Sequence, residues 1–185
     1  MRSKNWCLSI LVVMGVLLCV SAVGLANDGS QWVEIYQADE IILGPQDGLR
    51  PIEGVTAGDF RLECELRVDA GAMFTLMFRA IPNYTDGYGL NLQAKKDWSG
   101  FYRMDGAWGL RKWLEPVCPD GVPADKWLQV VVEAVGDKLS LKIADVTDLS
   151  VDVSGDGAPD EGVFFLRNVL GGMTMRNVKI SVLNK

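Results

Sequence analysis

Phe60-Arg61-Leu62-Glu63-Cys64-Glu65-Leu66-Arg67-Val68 places an apolar residue at every even position and Arg or Glu at every odd one. Successive side chains of a β-strand point to opposite faces, so this period of two predicts a half-buried strand with one polar side. The same pattern recurs outward from it. Phe74-Thr75-Leu76-Met77-Phe78-Arg79 repeats it more weakly, and Tyr88, Leu90 and Leu92 line one face of a further strand with Asn91 and Gln93 on the other. Ser99–Met104 and Trp108–Leu114 read as hairpin arms around Asp105-Gly106, and Trp127–Val135 and Lys138–Ala144 as another pair around Gly136-Asp137. Residues 149–153, 162–167 and 173–183 supply three more strands. Residues 32–52 are less periodic, with an early strand expected over Glu40–Leu43. No long stretch shows helical periodicity, and no repeat or linker divides the chain. Many short strands bounded by turn residues predict an all-β fold, a two-sheet antiparallel jelly-roll sandwich.

The first 26 residues stand apart. Arg2 and Lys4 precede an apolar run from Leu8 to Val20, and Gly24-Leu25-Ala26 presents small residues where a signal peptidase cuts. The uncharged stretch Trp6–Ala26 is also long enough to span a bilayer of roughly 30 Å. The small-residue exit and the turn-prone Asn27-Asp28-Gly29-Ser30 favour cleavage, and Leu18 before Cys19 disfavours lipidation. The expectation is a signal peptide over 1–26, one domain over 27–185, and a secreted or extracytoplasmic location, periplasmic or extracellular.

Cleavage would remove two basic and no acidic residues, taking the formal net charge from −6 to −8. Phosphate recognition needs clustered Lys and Arg, so neither nucleic acid nor an anionic membrane surface is an expected partner. The chain contains no histidine, which excludes Ser-His-Asp and Cys-His machinery. Cys64 and Cys118 follow the leader. Cys64 alternates with Leu62 and Leu66 and is expected in the core, a disulfide to Cys118 being the alternative. Two cysteines without histidine do not make a structural zinc site.

Four strand patterns carry a family resemblance. Gly58 to Val68, Met77-Phe78-Arg79-Ala80, Asp86-Gly87-Tyr88-Gly89-Leu90-Asn91-Leu92, and Lys126 to Ala134 followed by Gly136 and Leu139 resemble successive strands of the concanavalin A-like, LamG-type jelly roll. The ending, Asp160 to Arg167 and then Met175 to Ile180, is similar to that of the same group. Within it the chain most resembles the 3-keto-disaccharide hydrolase domain, formerly a domain of unknown function. The resemblance spans nearly all of 27–185 and implies a carbohydrate ligand or, as the family name implies, a modified disaccharide substrate. Fold likeness leaves the activity open.

Residues 84–113 concentrate Tyr84, Tyr88, Trp98, Phe101, Tyr102, Trp108 and Trp113, interleaved with Lys95, Lys96, Arg103, Arg111 and Lys112. Aromatic faces stack on sugar C–H faces while Arg and Asn bond hydroxyls. The candidate ligand residues are therefore Arg67, Arg79, Tyr84, Asn91, Trp98, Tyr102, Arg103 and Trp113. The competing reading buries Tyr88 and Trp108 in the core and uses the rest to cover a sheet end. Arg61, Glu63, Glu65 and Arg67 share one strand face, expected to be joined by Arg79, Asn91 and Gln93 as a groove or a solvated sheet surface. A glycosidase needs two carboxylates about 5–10 Å apart, and Glu63 and Glu65, with Arg79, are the weakly signalled catalytic candidates. The Glu-x-Asp-x-x-Glu pattern of jelly-roll endoglucanases is absent. Asp152-Val153-Ser154-Gly155-Asp156-Gly157 resembles half of an EF-hand loop, so Asp152, Asp156 and Asp160 are candidate ligands for structural calcium, although Val163 stands where the bidentate Glu belongs. No other cofactor is indicated. Asn83-Tyr84-Thr85 is a glycosylation sequon. A binding or interaction module is the first functional expectation, a sugar hydrolase the second, and a structural domain without sugar ligand the third.

Overall fold

The computed structural model describes residues 31–45, 47–83, 85–94, 98–105 and 111–184. Within them run twelve strands: β1 (Gln31–Leu43), β2 (Gly48–Ala57), β3 (Phe60–Val68), β4 (Met73–Ala80), β5 (Asp86–Gln93), β6 (Gly100–Asp105), β7 (Arg111–Trp113), β8 (Trp127–Val135), β9 (Lys138–Ile143), β10 (Thr147–Asp152), β11 (Gly162–Asn168) and β12 (Met173–Asn184). The first sheet has the order β1-β12-β3-β8-β9-β10 and the second β2-β11-β4-β5-β6-β7, with every pairing antiparallel. The all-β, two-sheet jelly roll expected from the alternation is the observed architecture.

The apolar set of β3 faces the second sheet across the sandwich. Phe60, Leu62, Cys64, Leu66 and Val68 join Phe74, Leu76, Phe78, Tyr88, Leu90, Phe101, Phe164 and Leu166 in one core cluster. Phe60 meets Phe78 and Phe164 edge-on, with ring centroids 5.2 and 4.7 Å apart, a favoured aromatic geometry. Cys64 and Cys118 are buried free thiols, so Cys64 serves as a small core hydrophobe.

Two features of β12 explain its odd sequence rhythm. Met173 and Met175 point inward on odd positions, and Val178 and Ile180 on even ones. The change of parity falls at a bulge between Arg176 and Lys179, where Asn177 takes φ 52°. An extra residue in one strand resets which side chains face the core.

The early strands exceed expectation. β1 runs the length of residues 31–43 rather than 40–43, and β2 was not foreseen. Both are sheet edges. Most β1 side chains are solvated on both faces, and β2 carries Pro51, which suits only an edge.

The outward faces of the two sheets differ. Across the second, Phe165, Met77, Gly89, Tyr102 and Trp113 stand in register as one row. Met77, Ala80, Tyr102, Met104 and Phe165 form a second buried cluster, packed by Leu49, Trp113 and Val163. Gly89 provides the room: the Tyr102 ring occupies the place its Cβ would take.

Candidate functional site

Strict alternation would put Arg79 beside Met77 on the outward face of the second sheet. Instead, Val163 pairs with Ala80 and Phe165 with Met77, so two residues of β4 oppose one of β11. Arg79 is in this bulge at φ 45°, a left-handed conformation uncommon for a residue with a side chain. The backbone there is gripped closely. A Cβ on Gly87 would lie 2.8 Å from the Arg79 carbonyl oxygen, and one on Gly162 would lie 2.5 Å from the Arg79 carbonyl carbon.

The bulge re-aims the guanidinium towards one end of the sandwich, where it is 4% exposed. Nε donates to the Gly58 carbonyl at 2.9 Å and Nη1 to the Gly136 carbonyl at 2.9 Å. Nη2 pairs with Asp59 Oδ1 at 3.3 Å, and the same oxygen accepts the Gly136 N–H at 2.8 Å. Arg79 thus ties the β2–β3 link between the sheets to the β8–β9 turn of the first sheet. Its buried charge is matched by Asp59, as a charge this far from water requires.

A cavity of about 570 Å³ opens over this arrangement, lined by Thr56, Ala57, Gly58, Asp59, Arg79, Gly136, Asp137, Asp160, Glu161, Val182 and Leu183. Asp137, Asp160 and Glu161 are exposed, and among the described residues their carboxylates make no hydrogen bond or ion pair. Three carboxylates around one neutralised Arg–Asp pair make the mouth electronegative. Carboxylates accept hydrogen bonds from hydroxyl groups, and Arg79 spends three of the five donors a guanidinium carries. The arrangement is suited to a compact ligand rich in hydroxyls and opposed to an anion.

Of the sequence candidates, Arg79 and Asp160 reach this cavity. Glu63 and Glu65 do not. They lie on the outward face of the first sheet, Glu63 paired to Arg61 at 2.9 Å and Glu65 paired to Arg176 and accepting from Gln129. Arg61 also holds Glu133 at 2.8 Å. Arg67 is exposed on that face opposite Trp127, whose ring stacks on Arg176 at 4.0 Å. The expected union of Arg61, Glu63, Glu65 and Arg67 with Arg79, Asn91 and Gln93 is corrected: β3 and β4–β5 belong to different sheets, whose outward faces point in opposite directions.

The aromatic region also divides. Asn91 is fully buried, accepting from Thr75 at 2.9 Å and donating to the Trp98 carbonyl at 2.8 Å. Tyr102 is fully buried over Gly89, and Trp113 lies edge-on to it at 5.8 Å. Arg103 faces inward and pairs with Asp86 at 2.6 Å. These three, Asn91, Tyr102 and Arg103, are packing and network residues rather than an open sugar platform. Trp98 stays 45% exposed. Tyr84, Lys95, Lys96 and Trp108 lie outside the described residues. Tyr88 is core, as its alternation with Leu90 and Leu92 indicates.

The calcium candidates separate. Asp152 accepts the Ser154 N–H at 2.9 Å, which holds its carboxyl below the usual range. Asp156 is engaged by Tyr88, and Asp160 lies at the cavity. Among the described residues no three His, Cys, Asp or Glu side chains gather as a metal site.

Sequence reasoning missed Asp59, Asp137 and Glu161. A signal was present: the chain contains three Gly-Asp dipeptides, Gly58-Asp59, Gly136-Asp137 and Gly155-Asp156. The first read as the opening of a strand, the second as a hairpin turn and the third as part of a calcium-like loop, yet the first two line the cavity and the third sits in the loop leading to Asp160.

Several solved structures share this architecture. The carbohydrate binding module CBM66 from Bacillus subtilis superposes with a TM-score of 0.60 at 23% identity, over 82% of this chain and 94% of that one. The Aspergillus kawachii beta-fructofuranosidase matches at 0.53 and 14%, over 78% of this chain and 27% of that chain. Galectin LEC-6 of Caenorhabditis elegans matches at 0.50 and 15%, over 82% and 99%. No protein-family model matches the sequence, and no curated protein resembles it in sequence. At these identities the likeness is one of fold alone, a two-sheet antiparallel jelly roll.

Proposed function

We propose that this chain is an exported carbohydrate-binding module whose ligand, a neutral sugar, enters the cavity over Arg79. The observation that carries the reading is the bulged, buried Arg79 beneath a rim of uncommitted carboxylates. Backbone strain persists only where the surroundings over-determine it and gathers at binding sites. The likeness to the Bacillus subtilis carbohydrate binding module supports the reading through the fold it shares. Millimolar affinity needs about 4 kcal/mol, and a hydrogen bond to a charged group contributes about 1.5–3 kcal/mol. Two or three bonds to Asp137, Asp160 and Glu161 suffice.

The test titrates residues 27–185 with glucose, galactose, fructose and sucrose, followed by calorimetry, with glucuronate as the anionic control. Binding of one of the four, weakened about tenfold by Asp137→Asn or Glu161→Gln and unchanged by Glu63→Gln, supports the site. Affinity that survives both cavity variants, or glucuronate as the best ligand, overturns it.

A second reading is hydrolysis of a modified disaccharide, as the resemblance to the 3-keto-disaccharide hydrolase domain implies. It is favoured by the presence of Asp137, Asp160 and Glu161 on one cavity, since glycoside cleavage uses paired carboxylates. Mass spectrometry of a 3-keto-disaccharide incubated with the protein decides it: products that vanish in Glu161→Gln establish hydrolysis, and an unchanged substrate rejects it.

A further inference from the structure

Asp160 and Glu161 reach the cavity on the segment 153–161, which joins β10 to β11. That segment has few apolar anchors of its own and is held at its middle by a polar network. The Tyr88 hydroxyl lies 2.8 and 2.7 Å from the two carboxylate oxygens of Asp156 and donates to them. Asp156 Oδ1 also accepts the Ala158 N–H at 2.9 Å, which folds the segment back towards Asp160. On the other side Arg103 Nε stands 3.9 Å from Asp156 Oδ2. The Arg103 guanidinium packs 5.7 Å from the Tyr88 ring centroid and is held by Asp86 at 2.6 Å and the Gly87 carbonyl at 3.1 Å.

The residue types are informative. The Tyr88 ring is 2% exposed and stacks on Phe78 at 5.9 Å, so phenylalanine would satisfy the core equally well. The hydroxyl serves Asp156 alone among the described residues. A buried, inward-facing arginine is costly unless paired, and Arg103 meets carboxylates on both sides. The segment then closes against the cavity floor, where a Cβ on Gly58 would lie 2.8 Å from the Asp160 carbonyl oxygen.

We propose that Tyr88, Arg103 and Asp156 are positioning residues: they latch segment 153–161 onto the second sheet so that Asp160 and Glu161 face Arg79 and Asp137 across the cavity. The inference rests on the cavity being the sugar site. Its first arm needs no ligand. In Tyr88→Phe, amide exchange at residues 156–158, 160 and 161 is expected to accelerate about tenfold, the scale of one hydrogen bond to a charged group, while amides of β8 keep their protection. The second arm titrates the same four sugars. Tyr88→Phe and Asp156→Ala should each weaken binding about three- to tenfold, and Asp156→Asn, which retains an acceptor for the hydroxyl, should recover most of it. Unchanged exchange in Tyr88→Phe removes the latch whatever the sugars show. Faster exchange with wild-type affinity removes the positioning role. Loss of affinity without recovery in Asp156→Asn assigns the effect to the carboxylate charge and overturns the hydrogen-bonded latch. A wild-type chain that binds none of the four sugars overturns the site and, with it, the positioning role, while the exchange arm still decides whether the latch exists.

Discussion

The outward face of the first sheet and that of the second obey different rules. On the first, Arg61, Glu63 and Glu65 are half-buried and ion-paired, Arg61 to Glu63 along β3 and to Glu133 of β8, and Glu65 to Arg176 of β12, while Arg67 is exposed. On the second, Thr75, Met77, Asn91, Tyr102, Met104 and Phe165 are buried, so β4 and β5 are enclosed on both sides. Part of that enclosure is the β7–β8 connection, whose Leu114, Cys118 and Val122 amides bond Phe101, Ser99 and Gln93 carbonyls, and whose Val117 lies 3.3 Å from where a Gly100 Cβ would be. One jelly roll thus has a surface made of ion pairs and another made of a second core. The proposed site belongs to neither face but to the end where the β2–β3 link and the β8–β9 turn meet Arg79.

The contrast predicts unequal sensitivity to mutation. Tyr102→Ala should be the most damaging outward-face change, costing about 4 kcal/mol, because truncating a buried aromatic ring leaves a cavity. Urea denaturation checks this, and a cost under about 1 kcal/mol would make the second face an ordinary surface. Gly89→Ala comes next, at about 2 kcal/mol, since its new methyl must displace the Tyr102 ring from a filled space.

Alkaline pH should separate the core from the ion pairs. Desolvation, with the charge of Glu65 second, pushes the Cys64 thiol from 9.0 up to about 12. Between those values the folded chain holds a proton that the unfolded chain has lost. Stability is therefore fully present below pH 9.0 and falls as pH rises towards about 12. Desolvation and the Asp156 bond push the Tyr88 phenol up as well, so its ionisation adds to the same decline above its ordinary 10.0. Urea midpoints at pH 8 and 10.5 should show the loss, and Cys64→Ala should make it shallower. The smallest effect belongs to Glu63→Gln, within about 0.5 kcal/mol, because a part-exposed ion pair contributes little. A larger loss would mean that the first face is more than a solvated surface.

Legibility followed the same division. β3, β8 and β9 were readable nearly to the residue because one face is wet, and water demands a polar residue at every second position. Met73-Phe74-Thr75-Leu76-Met77-Phe78 alternates poorly because both of its faces are dry. The greater part of β1, before Glu40, and the Pro-bearing β2 escaped notice because edge strands need bury little. Within the site, Arg79 stood out by type, whereas Asp59, Asp137 and Glu161 looked like the turn residues they also are.

The amino-acid order alone therefore determined the all-β class, the in-or-out phase of most strands, and the absence of histidine-based chemistry. Tertiary structure decided which sheet each strand joined, which polar residues became interior, and that Asp59, Arg79, Asp137 and Glu161 converge. The reason is physical: a period of two records only which side of a strand meets water. It says nothing of the partner across the ladder, and a single bulged residue at Arg79 turns a side chain from a sheet face into a cavity.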